Sequence, residues 1–295
     1  MSTHTPEGGP PLIHAPTGRG GEKALRAIGL LAIALPLLTL VVLIATTIAD
    51  GAPRLSGEFL SGLPSRKPEL AGIGPALAGT AMLMGLVALI AIPVGVGAAL
   101  WLEEYARPGK FMSVVELTIA TLAGVPSIVY ALLALEVFVR VLGMGRSILA
   151  GAATLALLIL PMIIMASREA LRTVPKHLRE ASFALGGDHW VTLRTIVMPL
   201  AMPGILTGII LGLARAIGET APLITIGALT YVAFVPDSLS SAFTALPIQI
   251  FNWVSRPQAG FHFAAAAAIL ILLALMLVMN ALAIWLRTRL QRRIV

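Results

Sequence analysis

From Ala27 to Ala49 the chain runs 23 residues without one charged side chain. A helix of that length, at about 1.5 Å of rise per residue, crosses the ~30 Å hydrocarbon core of a bilayer. Four further runs repeat the pattern between charges: Leu70 to Leu102, Leu117 to Leu135, Ser147 to Ser167 and Pro257 to Leu286. Another begins at Thr195 and reaches Pro236, interrupted by Arg215 and Glu219. Because Gly72, Gly74, Pro75 and Gly79 open the second run, its helix is expected at about 75–100; the last is expected at 262–286. The first is read as a spanning helix over 24–50. A cleaved leader would have an apolar region of about 7–15 residues, and no small-x-small cleavage site follows. Met1 to Glu22, rich in Gly, Pro, Thr and His, has no hydrophobic period, so 1–23 is expected to be a disordered tail.

Composition agrees with this pattern. Hydrophobic residues make up 58% of the 295 and charged ones 12%, too little charge to clothe a soluble surface. The net charge of +7 lies in short clusters between the runs, not in a continuous basic surface for nucleic acid. Zero cysteines exclude a disulfide framework, Cys-ligated zinc, iron–sulfur chemistry and a thiol nucleophile. His4, His14, His177, His189 and His262 make no metal-ligand spacing, so neither a metal site nor a catalytic residue is expected.

Topology turns on whether Thr195 to Pro236 holds one span or two, and the bias of Lys and Arg toward the cytoplasmic side decides it. With six spans, 14 of the Lys and Arg residues flank the membrane on the side of both termini and six on the other. A seventh span would place the four arginines Arg287, Arg289, Arg292 and Arg293 outside. Six spans with both termini cytoplasmic therefore win. The stretch 237–256, punctuated by Pro236, Pro247 and Pro257, becomes an outer-face loop, partly re-entrant.

The stretch Arg168 to Arg194 holds eight of the 35 charged side chains and reads as helix, turn, helix. Pro175 suits a first helical turn, and Leu178, Ala181 and Leu185 share a face. Gly186 and Gly187 stop the helix, and Asp188 caps a second one that leads through Trp190, at interfacial depth, into the next span. Such a short amphipathic helix can lie in the lipid interface or fill a groove on a partner.

Within this loop Glu180-Ala181-Ser182, three residues, Gly186, nine residues and Ile196-Val197-Met198-Pro199 resemble the E-A-A, three, G, nine, I-x-L-P signature of importer-type ABC permeases. Ser182 stands for the second Ala and Met198 for Leu. The resemblance implies an all-α integral membrane protein of six transmembrane helices with the importer type I (MetI-like) fold. Its permease domain would be 73–286, five helices with a coupling loop at 168–194, followed by a basic cytoplasmic tail at 287–295. In that family the loop sits in a cleft of a separate ATPase, so Glu180, Ala181, Ser182, Gly186 and Pro199 are the residues expected to make or shape the docking surface. The chain has no G-x-x-x-x-G-K-[ST] phosphate loop, since Lys110 is followed by Phe111 and Lys23 by Ala24. ATP and Mg would therefore reside on the partner ATPase, with no cofactor bound by this chain.

Arg215 and Glu219 are four apart within the long apolar run, which puts them on one helix face within ion-pairing reach. An arginine at the centre of a span costs roughly 2.5–3.5 kcal/mol on insertion scales, so such residues pair or line a water-filled path. Two readings stand: a structural pair, or a guanidinium that serves a permeating anion while Glu219 satisfies it between substrates. The string Ala214 to Pro222, ARAIGETAP, resembles phosphate-importing permeases of the PstA type, over roughly Ile73 to Leu286. By that resemblance Arg215 and Glu219 are substrate-path residues, with Arg168 and Glu169 at the cytoplasmic mouth. The implied assembly lies in the bacterial inner membrane and contains a PstC-like permease, a PstB-like ATPase dimer and a periplasmic PstS-like phosphate-binding protein. ATP-driven closure would draw the 168–194 loops together and open the path outward. A permease for another oxyanion or small solute, an intramembrane enzyme and a structural scaffold are the rival readings.

Gly204, Gly208 and Gly212 align on one face of the fifth span, toward a neighbouring helix or a partner permease. Pro93, Pro126, Pro161, Pro199 and Pro203 are expected to kink or end spans.

Overall fold

The computed structural model describes residues 19–228 and 231–291, and the regular structure among them is entirely helical. Helix α1 runs Arg19–Gly51, so residues 19–23 of the expected tail are helical while 1–18 lie outside the described residues. Of the described residues, those from 19 to 46 form one compact unit and those from Thr47 onward a second.

The second unit opens on a short α2, Gly57–Ser61, whose first turn is capped by the Ser56 hydroxyl accepting from Phe59 N at 3.1 Å. Helix α3, Gly74–Leu100, begins with Pro75 in its first turn, where the missing N–H leaves no intrahelical partner wanting. Its buried residues, among them Ala76, Thr80, Leu83, Val87, Ala91, Gly95 and Ala99, recur at three or four positions and make one stripe. A π-helical turn, Trp101–Tyr105, extends it.

The third expected span, Leu117 to Leu135, is not straight. Helices α4, Lys110–Ala123, and α5, Ser127–Ala134, meet at 105° across Gly124-Val125-Pro126, with a further π-helical turn carrying α5 to Val141. Pro126 has no N–H to continue the ladder and drives Val125 out of the helical region, so the chain must turn. The Tyr130 hydroxyl donates to the Leu122 carbonyl at 2.7 Å, satisfying an acceptor that the break leaves without a helical donor.

Helix α6, Ile148–Arg172, starts at a Ser147 cap whose hydroxyl accepts from Ala150 N. It is the most buried long helix of this unit and packs between α3 and the later α9. After α7, Lys176–Ala184, and α8, His189–Thr192, a π-helical turn over Leu193–Val197 leads without interruption into α9, Met198–Gly218. The run His189–Gly218 is one span, and among the described residues from Ala221 the short α10, Ala221–Thr225, is the one helix before α11, Leu246–Val254, and α12, Ala259–Gln291. The expected basic tail thus starts as helix and leaves only 292–295 outside the described residues.

Among the described residues five helices are long and apolar enough to cross a membrane, and the bent α4–α5 pair supplies a sixth crossing if taken as one span. The chain is a multi-pass membrane protein. Between helices already surrounded by hydrocarbon, association depends on close van der Waals packing. The glycine face of α9 provides it: a Cβ on Gly204 or Gly208 would lie 2.6 or 2.4 Å from the Cβ of Ala170 or Ala166 on α6. The neighbour of that face is therefore a helix of the same chain. Pro93, Pro161 and Pro203 lie inside continuous helices, and Pro126 alone of the five named prolines separates two sharply bent ones.

The stretch 237–256 is more than an extended loop. Leu246, Ile248 and Trp253 of α11 are buried, against α3 and α12. Thr80 of α3 accepts from Leu246 N at 2.8 Å, and Gly79 lets the Thr244 carbonyl approach so closely that a Cβ there would stand 2.1 Å from it. The apolar string Leu246 to Val254 has enough hydrophobic surface to leave solvent, and Thr80 and Gly79 provide the berth.

Candidate functional site

Two groups of residues stand out, near opposite ends of α9. At its C-terminal end, Arg215 lies in the last turn, where a cation is favoured by the helix dipole. Glu219 does not share the helix face expected of it, because α9 ends at Gly218 and Glu219 is extended (φ −75°, ψ 123°). Its carboxylate nevertheless folds back to 3.3 Å from Arg215 Nε. The carboxylate side chain is 18% exposed and the guanidinium side chain 41%. Among the described residues this Nε contact is Arg215's one hydrogen-bonded partner, so no other described residue bonds its two terminal nitrogens. Directly beyond Glu219, α10 packs against α5, the second half of the bent span. The pair thus sits at the end of one span, next to the short helix that packs on the bent one.

At the other end lies the 168–194 loop. Pro175 caps α7 and Leu185 ends it; Gly186 adopts φ +85°, a conformation that a side chain would strain, and Asp188 accepts from Val191 N at 2.7 Å to cap α8. The expected apolar face divides. Leu178 is half-buried, whereas Ala181 and Leu185 face outward, Leu185 being 90% exposed. With Glu180 exposed beside Ala181 and Phe183 also exposed, the loop presents a mixed apolar and acidic surface. Ser182 turns inward to Thr192, 2.8 Å between hydroxyls. Pro199 is half-buried just after the π-helical turn, where a changed bonding pattern accommodates its missing N–H.

Arg168 and Glu169 divide as well. The Arg168 side chain is 10% exposed and is met by Glu116 at 2.5 Å and Glu103 at 3.5 Å. Glu169 is mostly exposed and pairs with Arg172 at 3.3 Å. Arg172 also reaches Glu103 at 3.0 Å, and Arg179 on α7 bonds both oxygens of Glu104 at 2.6 and 2.8 Å. Glu103, Glu104, Glu116, Arg172 and Arg179 were not singled out by sequence, though Glu103, Glu104 and Glu116 bound two of the uncharged runs on the same predicted side. A cavity of about 580 Å³ opens among Glu103, Arg172, Lys176, Arg179 and Glu180. Among the described residues no three His, Asp or Glu side chains gather as a metal site.

This helix order, with a charged helix-turn-helix ahead of a glycine-seamed span, can be compared with known proteins. A family model described as "Binding-protein-dependent transport system inner membrane component" matches residues 91–295. The chain belongs to that family. The permease is 40% identical over 230 residues to phosphate transport system permease protein PstA 1 of Mycobacterium tuberculosis, covering 76% of this chain and 75% of that protein. It is 39% identical over 207 residues to the PstA permease of Mycobacterium leprae, covering 69% and 67%. In fold it is similar to a chain of a bacterial ABC transporter involved in the import of the acidic polysaccharide alginate, with a TM-score of 0.60 at 15% identity, covering 92% of this permease and 99% of that chain. The expected MetI-like importer fold and the resemblance to PstA-type permeases both agree with these similarities.

Proposed function

We propose that this permease subunit carries inorganic phosphate as half of a heterodimeric pathway in a bacterial inner membrane, with both termini in the cytoplasm. The observation that carries the reading is the Arg215–Glu219 pair. Glu219 holds the guanidinium through Nε alone and leaves its terminal nitrogens to an oxyanion, for which the planar fork is suited. A carboxylate that shares the charge keeps the arginine tolerable in an apolar span when no anion is present, and limits how tightly an anion is held. The phosphate named in the PstA relatives supports the choice of ion.

Energy would enter at the other end. The outward face of α7 and its turn, with Glu180, Ala181, Leu185 and Gly186, fits a cleft on an ATPase that holds ATP and Mg, while Ser182 and Pro199 shape the segment from within. A second, PstC-like permease, an ATPase dimer of PstB type and a PstS-like binding protein complete the assembly. Arg168 and Glu169 belong at the cytoplasmic mouth, Arg168 with its charge already met by two carboxylates. The assay is uptake of radiolabelled phosphate by the reconstituted transporter in the presence of excess sulfate or unlabelled phosphate. Competition by phosphate alone supports the reading; ATP-dependent uptake of another solute without phosphate uptake overturns it.

A further inference from the structure

We infer that Arg179 and Glu104 are positioning residues that fasten the coupling helix to the ends of α3 and α6, so that a push on α7 is passed to these spans without a hinge between them. The inference rests on the reading of the chain as an ATP-driven permease, but not on which solute it carries. Three kinds of contact converge on α7. Arg179 Nη1 donates to both oxygens of Glu104, whose side chain is 5% exposed, and Arg179 Nη2 donates to the Leu171 carbonyl at 3.0 Å, one of the last acceptors of α6. One guanidinium thus ties three elements: α7, the π-helical turn ending α3, and the end of α6. The Ser182 and Thr192 hydroxyls, 2.8 Å apart and both buried, join α7 to α8, which is continuous with α9. His189 of α8 lies edge-on to Tyr105 at the end of α3, centroids 4.8 Å apart, and stacks beside Phe183 of α7 at 6.5 Å.

The glycine turn between α7 and α8 is equally constrained. Gly186 N and Gly187 N donate to Phe183 O and Ser182 O, each at 3.0 Å, and a Cβ on Gly187 would stand 2.7 Å from Ser182 Oγ. Gly186-Gly187 is therefore a closed cap, not the swivel that two adjacent glycines suggest. A long-stemmed arginine whose Nη1 is shared by both carboxylate oxygens while Nη2 meets a backbone carbonyl is well suited to such a joint, because the planar guanidinium fixes the angle between the two contacts as well as their distances.

The chain has no cysteine of its own, so spin labels can be placed on Leu89→Cys in α3 and Lys176→Cys in α7, both exposed positions. The experiment uses the complete transporter with its ATPase, nucleotide-free and ATP-trapped. A rigid joint keeps the interlabel distance constant within about 2 Å between the two states, and Glu104→Gln makes it change or broaden. A shift of about 5 Å or more in the transporter with intact Glu104 and Arg179 overturns the inference, because the loop would then hinge on the spans. As a second readout, Glu104→Gln and Arg179→Gln should lower solute carried per ATP hydrolysed by about tenfold in complexes that still assemble, with Arg179→Lys in between. An unchanged ratio in both variants also overturns it. Failure of phosphate uptake in the unaltered transporter sinks the substrate reading alone, since the label distance is measured without solute.

Discussion

The Ser182 hydroxyl lies 2.8 Å from that of Thr192, and both are buried at the junction of α7 with α8, which leads into α9. The importer signature has an alanine where this chain has Ser182. Thr192 Oγ1 also donates to the Asp188 carbonyl at 2.9 Å, which keeps it satisfied when Ser182 is lost. Ser182→Ala should therefore cost no more than about 1 kcal/mol. Ser182→Leu, which adds bulk where Gly187 is already close, should lower the unfolding temperature of the detergent-purified chain by several degrees.

The contact of α6 with α9 sets a clear pair of expectations for glycine. Gly208→Ala places a methyl 2.4 Å from the Ala166 Cβ and should destabilise by about 1–3 kcal/mol, visible as a lower thermal midpoint and poorer recovery from membranes. Gly85→Ala meets nothing within 4 Å and should be neutral or slightly stabilising in the same assay, since alanine is the better helix former.

Removing the Arg168 charge leaves Glu103 and Glu116 facing one another with Arg172 alone to compensate. Because Glu116 is 41% exposed, solvent relieves part of the penalty, and Arg168→Gln should cost about 1–3 kcal/mol. Glu169→Gln, at a side chain 72% exposed, should stay within about 0.5 kcal/mol. Thermal unfolding of the two variants side by side tests the difference.

Thr80 holds the start of α11 through one buried hydrogen bond to Leu246 N. Thr80→Val keeps the shape but leaves that N–H without its acceptor, a loss of about 1–3 kcal/mol. Hydrogen exchange should accelerate over residues 246–250 and leave α6 unchanged; uniform acceleration would point to global loosening instead.

Much of this organisation is legible in the sequence for a physical reason: hydrocarbon demands long uncharged helices, and their ends are marked by charge. Ala27 to Ala49 fall within α1 and all but the capping Ser147 of Ser147 to Ser167 within α6, and the turn at Gly186 and the Asp188 cap follow from local backbone chemistry. The bend at Pro126 was visible as a residue but not as an angle, since a proline can either kink or end a helix, and Pro93, Pro161 and Pro203 do not end theirs. The burial of α11 depends on Gly79 and Thr80, some 166 residues earlier than Leu246, and no local pattern announces such a pairing. At the site, the spacing of Arg215 and Glu219 gave their contact correctly through the wrong geometry. The helix ends between them, and the carboxylate reaches back from an extended residue. The Glu104–Arg179 joint spans 75 residues and could be suspected only from both lying on the same predicted side of the membrane.

The proposed role of Arg215 in meeting the permeating anion, with Glu219 restraining it, is decided by ATP-driven phosphate uptake in proteoliposomes holding the complete transporter, with Arg215→Gln and Glu219→Gln compared at equal assembly. Arg215→Gln should abolish uptake, by at least about a hundredfold, on the scale of losing a preorganised charged contact. Glu219→Gln should retain measurable uptake with altered apparent affinity. Uptake at the unaltered rate in Arg215→Gln would show that the guanidinium does not meet the anion.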